Sequence, residues 1–349
     1  MIAASNLLRL LKQSDLITLG ARDEPTVFDS PWYIKVLMAF CGWLAAIFIL
    51  GFFGLSIAGL FDNSYALSIL GIVMIGCSLG VLYSKSSEFF EHLCLAFSFA
   101  GQALIVFALF NQGESKDITN WVMLSLMCCS LAIVMPSYIH SLVSACLGTL
   151  CFSYLMFLVG LPSFFSGVFL FLVASIWLYE FTLSYQVKKL QAIGYGIVIG
   201  LMQFKTSILF SQGGQTWAQE MVPYVNQWLD EGLNTLVLIY IVVQMLRHKA
   251  LLIERANRLI GIAVVLLFCM GSLYANGIIV GLTFVLLGFA NQNKILLVLG
   301  GICTLINLSS YYYFLDITLL NKSLIFVGMG SLSLLLMYLN KRLPVGKAL

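Results

Sequence analysis

Apolar residues in this chain gather into long blocks, and polar residues are confined to short stretches between them. A helix that crosses about 30 Å of hydrocarbon needs about 20 apolar residues, each rising about 1.5 Å. That requirement marks spans over Ile34–Leu60, Tyr65–Tyr83, Leu93–Phe110, Trp121–Pro136, Ile139–Gly160 and Ser163–Tyr179. It marks further spans over Ala192–Phe210, Leu233–Leu246, Leu259–Ala275, Gly277–Ala290, Ile295–Ser310 and Ser323–Asn340. The pattern predicts an all-α integral membrane protein of about twelve transmembrane helices. The run Leu259–Ala290 is ambiguous, because its 32 residues would measure about 48 Å as one helix and about 24 Å each as two. Tyr274, Asn276 and Gly277 near its middle favour a tight hairpin.

Composition agrees with this pattern. Of 349 residues, 61% are hydrophobic and 9% are charged, against roughly a quarter charged in a soluble domain. So much apolar surface exceeds what one core buries, which excludes a cytosolic enzyme, a secreted disulfide scaffold and a nucleic-acid-binding domain. The chain divides into a cytoplasmic N-terminal segment over 1–33, a polytopic domain over 34–340 and a basic tail over 341–349. Leu7, Leu8, Leu10, Leu11, Ile17 and Leu19 lie loosely on one helical face, as in a short amphipathic helix on the inner membrane surface. No cleavable signal peptide is visible before Pro31, so the first span is expected to direct insertion. The nine cysteines all fall in apolar runs without a C-x-x-C, and read as small lipid-facing or helix-facing residues.

Basic residues give the orientation, since Lys and Arg in short loops stay in the cytoplasm. With both termini inside, all 18 Lys and Arg fall on the cytoplasmic side except Lys116, Lys205 and Lys322. A single crossing over Leu259–Ala290 would carry Lys294, Lys341, Arg342 and Lys347 outside and destroy that asymmetry. On the outer side, Ser211 to Gly232 contains Trp217, Tyr224 and Trp228 and reads as an interfacial segment.

Three stretches carry a resemblance. YYYFLDITLLNKSLIFVGMG, within Asn276 to Asn340, resembles the C-terminal pattern of a bacterial multi-pass family, domain of unknown function 4401. SPWYIKVLMAFCGWLAAIFILGFFG at Ser30 to Gly54 and FFEHLCLAFSFAGQALIVF at Phe89 to Phe107 are similar to it as well. The resemblance implies a multi-pass protein of the bacterial inner membrane, often encoded beside a second membrane protein with a GDYXXLXY domain. It implies no activity and no catalytic residue. The chain departs from the pattern at MPSYIHS, where Ser141 replaces the expected basic residue after His140.

Polar groups inside the spans are the remaining candidates for chemistry, because a charge at the centre of a membrane helix costs about 2.5 to 3.5 kcal/mol. Lys205, with Gln203 nearby, lies roughly 20 Å into its span. It could bind an anionic group or pair with a carboxylate, but the favoured reading is that it snorkels to the outer interface. Gln102 reads as an interhelical hydrogen-bonding residue, or as part of a substrate path with Lys205 and Gln203. Glu88, Glu91 and His92 could suggest a metal site, but Glu91 and His92 point to diverging faces and a solvated loop explains them. Glu180 reads as an interfacial anchor, and Tyr311, Tyr312 and Tyr313 as an aromatic belt. The pairs Gly76 and Gly80, Gly196 and Gly200, and Gly277 and Gly281 have the spacing of close helix contacts.

No H-E-x-x-H, G-x-S-x-G, phosphate-binding loop or dinucleotide fingerprint occurs in the chain. Neither catalysis, a cofactor nor a metal is expected, and the expected surroundings are the lipid bilayer, with no nucleic acid. The sequence favours a structural or assembly subunit of a membrane complex. A secondary transporter or lipid-handling protein is the alternative, although no clear internal repeat supports it.

Overall fold

The computed structural model describes residues 32–56, 63–84, 88–112, 117–179, 187–212, 225–248 and 277–314, with scattered positions between 318 and 334. These residues form ten helices and no strand: α1 Trp32–Ser56, α2 Ser64–Tyr83, α3 Glu88–Gln112, α4 Ile118–Val134, α5 Tyr138–Leu158, α6 Pro162–Leu178, α7 Val187–Gln212, α8 Gln227–His248, α9 Ile278–Ala290 and α10 Lys294–Phe314. Each corresponds to one of the spans drawn from the apolar pattern. The spans Leu259–Ala275 and most of Ser323–Asn340, the N-terminal amphipathic segment and the basic tail lie outside the described residues. Among the described residues, three helical stretches are long and apolar enough to cross a membrane, Ser64–Tyr83, Phe89–Asn111 and Tyr138–Leu158. Others are apolar but shorter, including Ile118–Val134, Pro162–Leu178 and Ile278–Ala290.

Local chemistry sets the boundaries. The side chain of Asn63 accepts from the amides of Tyr65 at 3.1 Å and Ala66 at 3.3 Å, which caps α2. Asp117 caps α4 through the amide of Thr119 at 2.9 Å. Helix α4 stops at Val134, ahead of Pro136, which disfavours helical backbone in the residue before it. Pro162 opens α6, where its missing N–H loses no hydrogen bond. Gly277 precedes α9 with φ +86°, so α9 is a new helix and no straight helix passes through this residue.

The packing is inside out relative to a soluble protein. Phe48, Ile72 and Leu126 are 70%, 62% and 65% exposed, while Ser98, Gln102, His140, Lys205, Asp230 and Asn307 are buried. Outward apolar side chains of this kind suit lipid, and inward polar ones must satisfy each other. Helix α3 packs on α1 and α2, α5 on α4 and α7, and α6 to α10 pack together. Their shared apolar core includes Phe165, Trp177, Leu201, Ile241, Phe284 and Leu296.

Close backbone approaches fall at only some of the predicted glycines. A Cβ at Gly196 would strike the carbonyl of Leu142, and one at Gly200 would lie 2.7 Å from the Cβ of Thr149, where α7 meets α5. A Cβ at Gly281 would lie 2.7 Å from the amide nitrogen of Thr304, where α9 meets α10. At Gly76 and Gly80, by contrast, a Cβ would meet nothing within 4 Å among the described residues, and both glycines are exposed. The close contact on α2 is made instead by Gly71, which faces Gly101 of α3: a Cβ on Gly71 would lie 2.6 Å from the Gly101 carbonyl. Spacing alone put the contact on the wrong face of α2, since any small pair four residues apart satisfies it.

Candidate functional site

One end of the α6 to α10 bundle assembles the most heavily charged interior in the described residues. Lys205 of α7 is 1% exposed, and its Nζ lies 2.5 Å from Asp230 Oδ2 and 2.9 Å from Glu231 Oε1. Both carboxylates are buried, at 0% and 1% exposure. Snorkelling is therefore not what Lys205 does: its ammonium turns into the bundle, where two carboxylates offset the cost of removing it from water. The apolar pattern missed this because it started the span at Leu233, whereas α8 begins at Gln227 and carries Asp230 and Glu231 inside its first turns. A hydropathy reading trims charges from the end of a span. Here a charge on a neighbouring helix keeps them in.

The surrounding helices complete the cluster. Ser166 of α6 donates its hydroxyl to Asp230 Oδ1 and lies 3.0 Å from the side-chain amide of Asn234. Because its single proton goes to the carboxylate, the amide of Asn234 satisfies Ser166 best by presenting its nitrogen as donor. Glu231 Oε1 also accepts from the backbone N–H of Gly277 at 2.8 Å. The carboxylates thus sit near the starts of α8 and α9, where the helix dipole favours negative charge. Asn307 of α10 also lies against Gly277: its Nδ2 donates to the Cys303 carbonyl at 2.8 Å, and its oxygen occupies the space a Cβ on Gly277 would need. Only glycine serves at 277, for this reason and because of its positive φ.

A second polar centre joins α3 to α5. His140 is fully buried; Ser98 Oγ lies 2.8 Å and Gln102 Nε2 3.2 Å from its Nε2, and Ser144 Oγ lies 3.1 Å from its Nδ1. The amide nitrogen of Gln102 can only donate, so Nε2 accepts and the imidazole proton sits on Nδ1, facing Ser144. Phe99 stacks on the ring with centroids 4.9 Å apart. Ser141, where the resemblance leads us to expect a basic residue, is 1% exposed and donates to the Met135 carbonyl at 3.2 Å.

The three residues expected along one substrate path are thus separated. Gln102 belongs to the His140 centre, Lys205 to the carboxylate cluster, and Gln203 is exposed. Gln203 and Lys205 are two positions apart on one helix, a spacing that places them on different faces. Glu91 accepts from Ser137 Oγ at 3.0 Å, and among the described residues no three His, Cys, Asp or Glu side chains converge as metal ligands. Cys269, Glu180, Trp217, Tyr224 and the side chains of Tyr311 and Tyr312 lie outside the described residues. Trp228 and Tyr313 are 60% and 79% exposed.

Helices with apolar exteriors and a charged cluster buried between them define a helical protein suited to a membrane. A family model described as Domain of unknown function (DUF4401) matches residues 31–343, and the chain belongs to that family. No curated protein and no solved structure matches it.

Proposed function

We propose that this protein is a multi-pass protein of the bacterial inner membrane that moves an ion or an ion-coupled solute. It has about twelve spans, both termini lie in the cytoplasm, and it has no enzymatic role. One observation carries this reading: Lys205, Asp230 and Glu231 are buried together between helices of an otherwise apolar bundle. Ionisable groups at such positions are costly, and replacing a buried ion pair by packed apolar side chains is often neutral or stabilising. Their presence therefore points to use in ion handling.

Purified protein reconstituted into liposomes with an imposed pH or Na⁺ gradient tests the reading. The gradient should collapse faster than in protein-free vesicles and faster than with Glu231→Gln. Rates equal to those of empty vesicles for both gradients would remove it.

A structural or assembly role is the second reading, favoured by the closure of the cluster, in which the Lys205 and Asp230 side chains are 0% exposed. The partner would be a second inner-membrane protein, such as one with a GDYXXLXY domain. Affinity purification from native membranes checks this by asking whether one such protein is retained in stoichiometric amount.

A further inference from the structure

Charge counting in the cluster leaves a remainder. Lys205 supplies one positive charge and Asp230 and Glu231 supply two negative ones, with all three side chains at 0% or 1% exposure. Hydrogen bonding leaves a remainder at the same place. Asp230 has a donor on each oxygen, Ser166 on Oδ1 and Lys205 on Oδ2. Glu231 Oε1 has two, Lys205 and the Gly277 amide, whereas Glu231 Oε2 has none among the described residues. The oxygen of Asn307 is likewise buried without a partner there, against Gly277, the residue whose amide donates to Glu231. Asn234 Oδ1 lies 3.0 Å from Ser166 Oγ and its Nδ2 is buried without a partner among the described residues; exchanging the two amide positions lets the nitrogen donate to Ser166 and puts the oxygen in the unpartnered place.

We propose that the cluster is a binding site for one small monovalent cation, held at Glu231 Oε2 and supported by the amide oxygens of Asn307 and Asn234. A charge deficit of one and a set of oxygen acceptors call for a single positive charge, delivered as Na⁺ or as a proton. A divalent ion would overcompensate the charge and would require more carboxylates. Lys205 is the fixed internal cation and the exchangeable one sits beside it. Among the described residues, Lys205 from α7 and the Gly277 amide at the start of α9 bond Glu231, Asp230 shares Lys205 with it, Ser166 from α6 bonds Asp230 and Asn234, and Asn307 of α10, bonded to the Cys303 carbonyl and thiol, lies against Gly277.

The inference deepens the transport reading, and binding can be measured apart from flux. Thermal unfolding of the purified full-length protein in detergent is followed at constant ionic strength, with Na⁺ exchanged for choline and, separately, with pH varied in choline. A ligand of the folded state raises the melting temperature by roughly 2 °C per tenfold excess in a chain of this size.

If Na⁺ loads the site, wild type gains that stability in Na⁺ over choline and Glu231→Gln does not. If protons load it, Na⁺ has no effect, and the gap between wild type and Glu231→Gln widens in favour of wild type as pH falls. Asn307→Ala keeps the charge but removes one oxygen, and weakens the Na⁺ response severalfold. A wild-type protein indifferent to Na⁺, with a pH response parallel to that of Glu231→Gln, overturns the proposal. Binding without gradient collapse in liposomes would retain the site and remove the transport reading, and collapse without binding would do the reverse.

Discussion

At the scale of single residues, the behaviour of Lys205 separates the possible readings. A snorkelling lysine could become methionine at no cost. A lysine enclosed with two carboxylates cannot, because its loss leaves two buried negative charges close together with nothing to oppose them. Lys205→Met should therefore destabilise the protein by about 3 to 5 kcal/mol, the range for removing one partner from a buried ion pair. The triple change Lys205→Met, Asp230→Asn and Glu231→Gln removes all the charge together and should recover most of that loss. Thermal unfolding in detergent, read by loss of the monodisperse size-exclusion peak, checks both. Gln102→Met, which removes only a neutral interhelical hydrogen bond to His140, should cost about 0.6 to 1 kcal/mol in the same assay. Pairing of Lys205 with a carboxylate was one of the readings the sequence allowed, but snorkelling was the favoured one and burial overturns it. The identity of the partners was not legible in the sequence, because Asp230 and Glu231 lie 25 and 26 residues away and stand next to a loop. Burial on neighbouring helices makes them a site, and adjacency in sequence does not encode that.

At the scale of helices, close packing distinguishes glycines that spacing treats alike. Gly281 lies against the backbone of Thr304, and Gly76 faces open space among the described residues. Gly281→Leu should push α9 from α10 and lower the melting temperature by several degrees, while Gly76→Leu should leave it within about 1 °C, as expected for an exposed site. Equal shifts at the two positions would mean that the Gly281 contact matters no more to the bundle than an exposed position does. Helix existence was almost wholly readable from apolar run length, since each of the ten described helices coincides with a predicted span. Helix ends were read less well wherever charge was involved. At α8, Asp230 and Glu231 were trimmed into the preceding loop, although Lys205 makes their place inside the helix tolerable. The His140 centre was obscured for a related reason. Ser98, Gln102 and Ser144 are neutral and small enough to pass within an apolar run, and they become a network only where α3 meets α5.

At the scale of the whole molecule, the cluster ties the ends of helices together, which bears on the proposed threading through the membrane. Glu231, in the first turns of α8, holds the amide of Gly277 just before α9, so α8 and α9 begin at the same end of the bundle. Helix α8 has 22 residues and carries the chain about 33 Å from that end. Residues 249–276, which join His248 to Gly277, lie outside the described residues, and there the sequence predicts a crossing over Leu259–Ala275. The same crossing keeps Lys294 on the side of the basic tail in the positive-inside assignment. Cysteines introduced singly into a variant freed of native cysteines test this threading in intact cells. With an impermeant thiol reagent, Gln227→Cys should label from outside, whereas Lys294→Cys and Lys347→Cys should label only after permeabilisation. Gln227 and Lys294 are both exposed, so failure to label cannot be attributed to burial. Labelling of Lys294→Cys from outside would place the two ends of α9 against the charge asymmetry and overturn the twelve-span arrangement. Labelling of Lys347→Cys alone from outside would keep the hairpin and move the error to the spans beyond α10.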